Sequence, residues 1–193
     1  MRILVYSFKG GTGKTTIALN WALTMGVGVI TNDLYSLANA ALDKSRIYKL
    51  EKDQPLPDLP KGVSAVYDFG GYVDGRVVKA MESADAIIIP TTKGAGELKG
   101  AIETIKEAQH HNKRIFVVAN KTAKGDLEYV RAAIEKYYKV PVLPLKASKA
   151  LERVYTSKLC LREWVKSSPT GEHVYGEICG QFDAIIAAVT KNK

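Results

Sequence analysis

The segment F-K-G-G-T-G-K-T-T occupies residues 8–16, directly after a short apolar run and directly before a helical pattern. Its glycines, Gly10, Gly11 and Gly13, can adopt positive φ and let the backbone close around an anion. The N–H groups of such a loop, with the amino terminus of the following helix, form a site for phosphate oxygens. Lys14 is expected to reach the β- and γ-phosphates of a nucleotide, so the segment predicts a phosphate-binding loop.

The threonines of this segment complete the predicted nucleotide site. Thr15 is expected to bind Mg²⁺, Thr16 to help hold the α-phosphate, and Thr12 to line the same loop. The alternative is a glycine-rich turn that binds nothing. The order of strand, loop, lysine and helix argues against that alternative.

Apolar runs of strand length alternate with helical stretches along the chain. The runs are rich in Ile and Val and apolar on both faces, as in buried parallel strands; they lie at residues 3–7, 27–31, 63–68, 86–90, 115–120 and 140–145. Helical spacing occurs at residues 15–25, 96–111, 126–138 and 171–189. The alternation predicts an α/β fold, a single P-loop domain over residues 1–193 with a mostly parallel sheet and helices on both faces. The proline-rich residues 52–62 predict a surface loop.

Composition and charge exclude several classes of protein. Hydrophobic residues make up 46% and charged residues 25% of the chain, which argues against a disordered chain. No apolar run approaches the roughly 20 residues of a membrane-spanning helix. The two cysteines, Cys160 and Cys179, form no C-x-x-C pair, and this usage fits a reducing cytoplasm. The net charge of +8 favours a polyanionic partner, although solubility alone would also explain it.

Two aspartates follow buried runs and are candidates for the chemistry. Asp33 follows the second run, at a strand end where an Asp can simply cap the next helix. Asp68 ends the third run, where a carboxylate beside a phosphate loop holds Mg²⁺ through water. Gly70 and Gly71 would then let a γ-phosphate-sensing segment move. A plain strand-ending turn is the alternative for this segment.

The loop departs from the usual pattern G-x-x-x-x-G-K-[ST], because Phe8 replaces its first glycine and Lys9 precedes the remaining ones. With this loop, K-G-G-T-G-K-T-T, the chain resembles the ParA/MinD family of P-loop ATPases, whose motif is a deviant Walker A loop. The resemblance implies that Lys9 is the signature lysine, which points across a dimer interface to the nucleotide of the other subunit. It also implies that Asp33 is catalytic and orients the attacking water, although Thr31 stands where the family usually has another Asp.

The base specificity depends on the fifth apolar run, which ends in Asn120 and Lys121. By resemblance, Asn120 bonds the adenine. A guanine-reading Asp would follow two residues after Lys121, but Thr122 and Ala123 stand there. ATP with Mg²⁺ is therefore favoured over GTP.

A basic stretch near the end of the chain is a candidate for nucleic-acid binding. Residues 139–166 hold seven basic and two acidic residues, a net charge of +5. Because the basic residues of this stretch do not alternate with aromatic ones in a pattern that suggests base stacking, contact with duplex phosphates is favoured over single-strand binding. Lys149, Arg153 and Lys158 are the expected contacts, and an ordinary solvated helix face is the alternative.

The resemblance implies a slow, partner-stimulated ATPase that forms a homodimer in ATP. That dimer would bind double-stranded DNA nonspecifically, on the nucleoid, and serve plasmid or chromosome partition with a ParB-like adaptor protein. A MinD-like membrane ATPase is a second reading, but residues 185–193 lack the bulky aromatics of a membrane-surface helix. A metabolic ATP-dependent enzyme, similar to dethiobiotin synthetase, is a third reading, and it has no need of Lys9.

Overall fold

The computed structural model describes residues 1–33, 38–70, 74–111 and 113–191. Within them, seven strands form one sheet in the order β3-β2-β4-β1-β5-β6-β7, and every neighbouring pair is parallel. The strands are β1 (Arg2–Val5), β2 (Gly28–Thr31), β3 (Ile47–Lys49), β4 (Ala65–Asp68), β5 (Ala86–Thr91), β6 (Arg114–Thr122) and β7 (Val142–Lys146). The six predicted strands are confirmed, and β3 is an edge strand that the apolar runs do not predict.

Helices cover both faces of the sheet, as predicted. They are α1 (Lys14–Met25), α2 (Ala38–Ala41), α3 (Arg76–Ser83), α4 (Ala95–Gln109), α5 (Asp126–Glu135), α6 (Val154–Ser157), α7 (Leu161–Lys166) and α8 (Gly171–Thr190). Side chains of β1 alternate between the faces: Ile3 and Val5 pack with α1 and α8, whereas Leu4 and Tyr6 pack with α3, α4 and α5. No helix in the described parts of the chain is long and apolar enough to cross a bilayer.

The strand order explains where a site forms. β1 lies between β4 and β5, so the chain continues from β1 to one side of the sheet and later crosses to the other. α1 follows β1 and α3 precedes β5, and they lie on opposite faces. The crevice beyond the carboxyl end of β1 is therefore the topological switch point, where ligands bind in open α/β sheets.

Candidate functional site

The predicted phosphate loop leaves β1 at this switch point. Gly11 and Gly13 adopt φ of 77° and 92°, a region that favours glycine. Gly10 is not among the residues with positive φ, so that conformation is used at only two of the three glycines. A Cβ on Gly13 would lie 2.3 Å from Asn120 Nδ2, so a side chain would collide with β6. α1 begins immediately afterwards, at Lys14, and its first N–H groups face the loop.

Lys14, Thr15 and Asp68 meet below the loop. Lys14 is only 8% exposed, and its Nζ donates to the carbonyl oxygen of Lys9 at 2.9 Å. The Thr15 hydroxyl donates to Asp68 Oδ1 at 3.3 Å. The other carboxylate oxygen, Asp68 Oδ2, is buried and has no hydrogen-bond partner among the residues that the structure describes. A buried carboxylate oxygen without a partner, beside a threonine hydroxyl, suits a divalent cation held directly or through water.

The electrostatics of this group depend on burial. Asp68 is 2% exposed, and burial raises the pKa of its carboxyl to about 7, against the lowering effects of the Thr15 hydrogen bond and the Lys14 charge. The negative charge of Asp33 raises the same pKa further. Burial also lowers the pKa of the Lys14 ammonium, which the Asp68 carboxylate opposes. The site therefore holds carboxylates whose charge a bound cation would stabilise.

The end of β2 lies beside Asp68, because Thr31 pairs with Asp68 in the sheet. The buried Thr31 hydroxyl accepts a hydrogen bond from the Asp33 backbone N–H at 3.1 Å. Thr31 thus supports the backbone of the candidate catalytic residue. Asp33 itself is partly exposed at the crevice, and its predicted role in orienting water stays a prediction.

Asn32 is a site residue that the sequence does not reveal. Its Oδ1 accepts from the Gly70 N–H at 2.8 Å, and its Nδ2 donates to Asp74 Oδ2 at 2.7 Å. This amide therefore links the end of β2 to both sides of the predicted sensing segment. Gly71, the second glycine of that segment, lies outside the described residues.

Thr12, Thr16 and Asn120 lie on the side of the loop nearest β6. Asn120 Nδ2 donates to the Thr12 carbonyl at 2.8 Å, while its Oδ1 accepts from the Lys121 N–H at 2.9 Å. The Thr16 hydroxyl shares a hydrogen bond with the Tyr155 hydroxyl at 2.9 Å. Asn120 thus braces the loop here; its contact with adenine and the contact of Thr16 with the α-phosphate stay predictions.

The predicted DNA contacts lie on the surface after β7. Lys149, Arg153 and Lys158 are all exposed, and among the described residues none of them has a carboxylate partner within 4.0 Å. Two other basic residues of the stretch are paired, Lys146 with Glu177 and Arg162 with Asp183. The cations predicted to contact phosphates are therefore available to a polyanion.

Asp74 gives a test of the segment that flanks the site. Hydrogen bonds from Arg76 hold the pKa of Asp74 at about 2, below its usual 3.8, and its side chain is only 6% exposed. The ionised Asp74 carboxylate therefore stabilises the folded chain fully above about pH 4, and this contribution to the free energy of unfolding is lost as the pH falls toward about 2. Asp74→Asn is expected to lower the free energy of unfolding by about 2 kcal/mol at pH 7.

Urea denaturation at pH 7 and at pH 3 measures this effect, and the difference between Asp74→Asn and the parent chain should shrink at pH 3. Asp58→Asn is the matched control, because the Asp58 side chain in its pair with Lys79 is 91% exposed and such pairs contribute little. A loss for Asp74→Asn that does not depend on pH would contradict the role of its charge.

Comparison with known proteins identifies the family. The profile of the CobQ/CobB/MinD/ParA nucleotide binding domain matches residues 3–159, whereas no curated protein sequence matches the chain. The fold is similar to apo McdA from Cyanothece, with a TM-score of 0.71 and 14% identity over 97% of this chain and 98% of that one. It is also similar to the septum site-determining protein MinD with Mg-ADP from Pyrococcus horikoshii OT3, with a TM-score of 0.66 and 17% identity over 99% of each chain.

A third similar structure is a putative plasmid partition protein from Borrelia burgdorferi B31 bound to AMPPNP, with a TM-score of 0.57 and 16% identity over 84% of this chain and 94% of that one. At such identities the three structures show the fold alone. The family profile spans the phosphate loop, Asp33, Asp68 and Asn120, which come together at the switch point. The chain belongs to the CobQ/CobB/MinD/ParA nucleotide-binding domain family.

Proposed function

We propose that the chain is a Mg²⁺-dependent ATPase that dimerises when it binds ATP, and that the dimer binds DNA without sequence preference. The observation that carries the proposal is the group beneath the phosphate loop. There, the buried ammonium of Lys14 lies beside the first turn of α1, together with an Asp68 oxygen that has no partner in the described parts of the chain. Two proteins of similar fold have been solved with Mg-ADP and with AMPPNP, and these structures support ATP as the ligand.

In the proposed transfer of the γ-phosphoryl group to water, each residue of the site has a separate role. Backbone N–H groups around Gly11 and Gly13 and the ammonium of Lys14 bind the phosphates. Thr15 and Asp68 would hold Mg²⁺, which neutralises charge on the β- and γ-phosphates. Asp33 orients the attacking water, and Lys9 of a second copy adds a cation at the γ-phosphate. No covalent enzyme intermediate is needed.

Asp33→Asn tests the hydrolytic step. Without a carboxylate to orient water, turnover is expected to fall about 100-fold or more, while the affinity for ATP stays within about twofold of the parent chain. Phosphate release and calorimetry measure the two quantities. The matched control is Asp43→Asn, an exposed aspartate, which should leave both unchanged. Unchanged turnover in Asp33→Asn would reduce Asp33 to a structural residue.

The DNA step is supported by the exposed cations after β7 and by the net charge of +8. A task in plasmid or chromosome partition, with a ParB-like adaptor that stimulates hydrolysis, is the cellular role that we propose. A MinD-like membrane role finds less support, because α8 buries its apolar side in the core through Ile178, Phe182, Ile185 and Val189.

A second basic surface allows a controlled test of DNA binding. An open groove of about 820 Å³ includes Lys113, Lys139 and Lys191. It lies at the amino ends of β6 and β7, away from the phosphate loop at the carboxyl end of β1. Reversing the charges of these three lysines matches reversal of Lys149, Arg153 and Lys158 in number and sign.

We expect ATP-dependent gel shifts on nonspecific duplex DNA to weaken when Lys149, Arg153 and Lys158 are changed to Glu, with nucleotide affinity unchanged. Each lost phosphate contact should lower the magnitude of the salt slope by about 0.9. The triple reversal in the groove should leave the shift in place. If only the groove variant lost the gel shift, the DNA-binding surface would be the groove. If the parent chain bound anionic vesicles in ATP but gave no gel shift with DNA, the membrane alternative would be favoured.

A further inference from the structure

Helix α4 presents three small residues, one turn apart, to the first residues of the phosphate loop. Gly96, Gly100 and Thr104 follow each other at intervals of four, so they share one face of the helix. Phe8 and Lys9 lie against this face, and the open surface that they form there includes both glycines. The contacts differ at each of the three turns.

Gly100 and Thr104 contact the backbone of the loop. A Cβ on Gly100 would lie 3.0 Å from Lys9 Cβ and 3.3 Å from the Lys9 backbone nitrogen. The Thr104 hydroxyl, fully buried, accepts from the Phe8 N–H at 3.1 Å and donates to the Gly100 carbonyl at 2.7 Å. The backbone at Phe8 and Lys9 therefore lies so close to α4 that a side chain at position 100 would have to displace it by a few tenths of an ångström.

Outside its own helix, a side chain at Gly96 would meet the Lys9 side chain alone among the described residues. A Cβ on Gly96 would lie 3.7 Å from Lys9 Cε and 4.0 Å from Lys9 Nζ, which is ordinary van der Waals contact. The Lys9 side chain thus extends along α4 over Gly96. At its other end, Lys9 contributes the carbonyl that accepts from Lys14 Nζ at 2.9 Å. Displacing the Lys9 backbone would therefore move the acceptor of Lys14 as well, whereas displacing only the Lys9 side chain would not.

We propose that Gly100 and Thr104 are positioning residues for the phosphate loop. Through them, α4 sets the direction of the Lys9 side chain and the position of the Lys9 carbonyl that accepts from Lys14. Glycine within a helix is less stable than alanine. The close approach of Lys9 gives position 100 a physical reason to keep it. The part of this inference that concerns dimers rests on the proposed function, and the part that concerns the loop does not.

Hydrogen exchange of the Phe8 amide in the nucleotide-free chain tests the loop directly. Thr104→Val keeps the shape of the side chain but removes the acceptor, so exchange at Phe8 is expected to rise about 3- to 10-fold. Thr104→Ser keeps the hydroxyl and should restore slow exchange. Equal exchange rates in the Val and Ser variants would overturn the role of Thr104.

Gly100→Ala tests the close approach, with Gly180→Ala as the matched control. Gly180 also lies in a helix, but a Cβ there would meet nothing within 4 Å. Both changes should raise the melting temperature or leave it unchanged if the glycines are only helix residues. We expect Gly100→Ala alone to weaken ATP binding at least fivefold and to shift the Phe8 and Lys9 amide resonances.

Gly96→Leu tests the direction of the Lys9 side chain independently of the position of the loop backbone. It should displace that side chain, change the ATP-dependent dimerisation midpoint at least threefold, and leave monomer ATP affinity unchanged. Parent-like ATP binding and amide resonances in Gly100→Ala would overturn the proposal for position 100, and a parent-like midpoint in Gly96→Leu would overturn it for the direction of Lys9. If the parent chain itself does not dimerise in ATP, the proposed function fails, and the Phe8 amide still decides the positioning role.

Discussion

Lys14→Met is expected to lose ATP binding by at least about 100-fold while the nucleotide-free chain keeps its fold. On the proposed function, Lys14 would supply charged hydrogen bonds to phosphate, each worth roughly 1.5–3 kcal/mol, and about 2.7 kcal/mol corresponds to a 100-fold change in Kd. Removing its charge should also raise the pKa of Asp68 further, because the Lys14 charge lowers it. A more protonated Asp68 would then bind Mg²⁺ more weakly.

The stability of the same variant gives the second half of the test. Burial lowers the pKa of Lys14, which indicates that its charged form is held at a cost in free energy. Methionine fills a similar volume without that charge, so the melting temperature should stay the same or rise. Lys14→Ala leaves a void and serves as the comparison, and Lys121→Met, an exposed lysine near the loop, serves as the charge-matched control. Calorimetry showing parent-like ATP affinity in Lys14→Met would contradict the phosphate-loop assignment.

Most of the sheet could be predicted because its central strands are uninterrupted runs of apolar residues, buried on both faces. Runs such as residues 86–90 contain only apolar residues, a pattern that indicates a central parallel strand. β3 escapes this reasoning because its three residues lie at the sheet edge, where Tyr48 is 43% exposed. Its pairing with β2 fixes it, and that information is not local. α3 did carry a signal, since Val77, Ala80 and Met81 are buried at helical spacing.

The functional site likewise has a part that the sequence predicts and a part that only the fold reveals. The phosphate loop is contiguous, so its residue types and order predict it. Asn32 and Thr104 act through partners far away in the sequence, 42 positions for Asn32 with Asp74 and 96 for Phe8 with Thr104. An Asn or Thr has many possible partners, and only the fold selects one. For the same reason, the bracing contact from Asn120 to the Thr12 carbonyl could not be read from the sequence.

Lys9→Ala is expected to abolish ATP-dependent dimerisation and DNA binding together, with ATP binding to the monomer nearly intact. Lys9 is exposed and its side chain lies along its own α4, so its ammonium is accessible to a second copy. A charged hydrogen bond across the interface is worth roughly 1.5–3 kcal/mol, and two occur in a symmetric dimer. The combined loss of about 3–6 kcal/mol would raise the Kd of a micromolar dimer to between about 0.2 mM and about 20 mM.

Two comparisons separate this role from a general effect of charge. Lys99→Ala removes an exposed lysine that borders the same surface of α4 as Lys9, so a loss that follows charge alone would appear in both variants. Mixing Lys9→Ala with Asp33→Ala, which keeps Lys9 and is expected to hydrolyse slowly, should give heterodimers of intermediate stability, because one of the two cross-subunit bonds remains. If Lys9 acted only within its own subunit, Lys9→Ala would instead weaken ATP binding in the monomer, and its sedimentation in saturating ATP would match that of the parent chain.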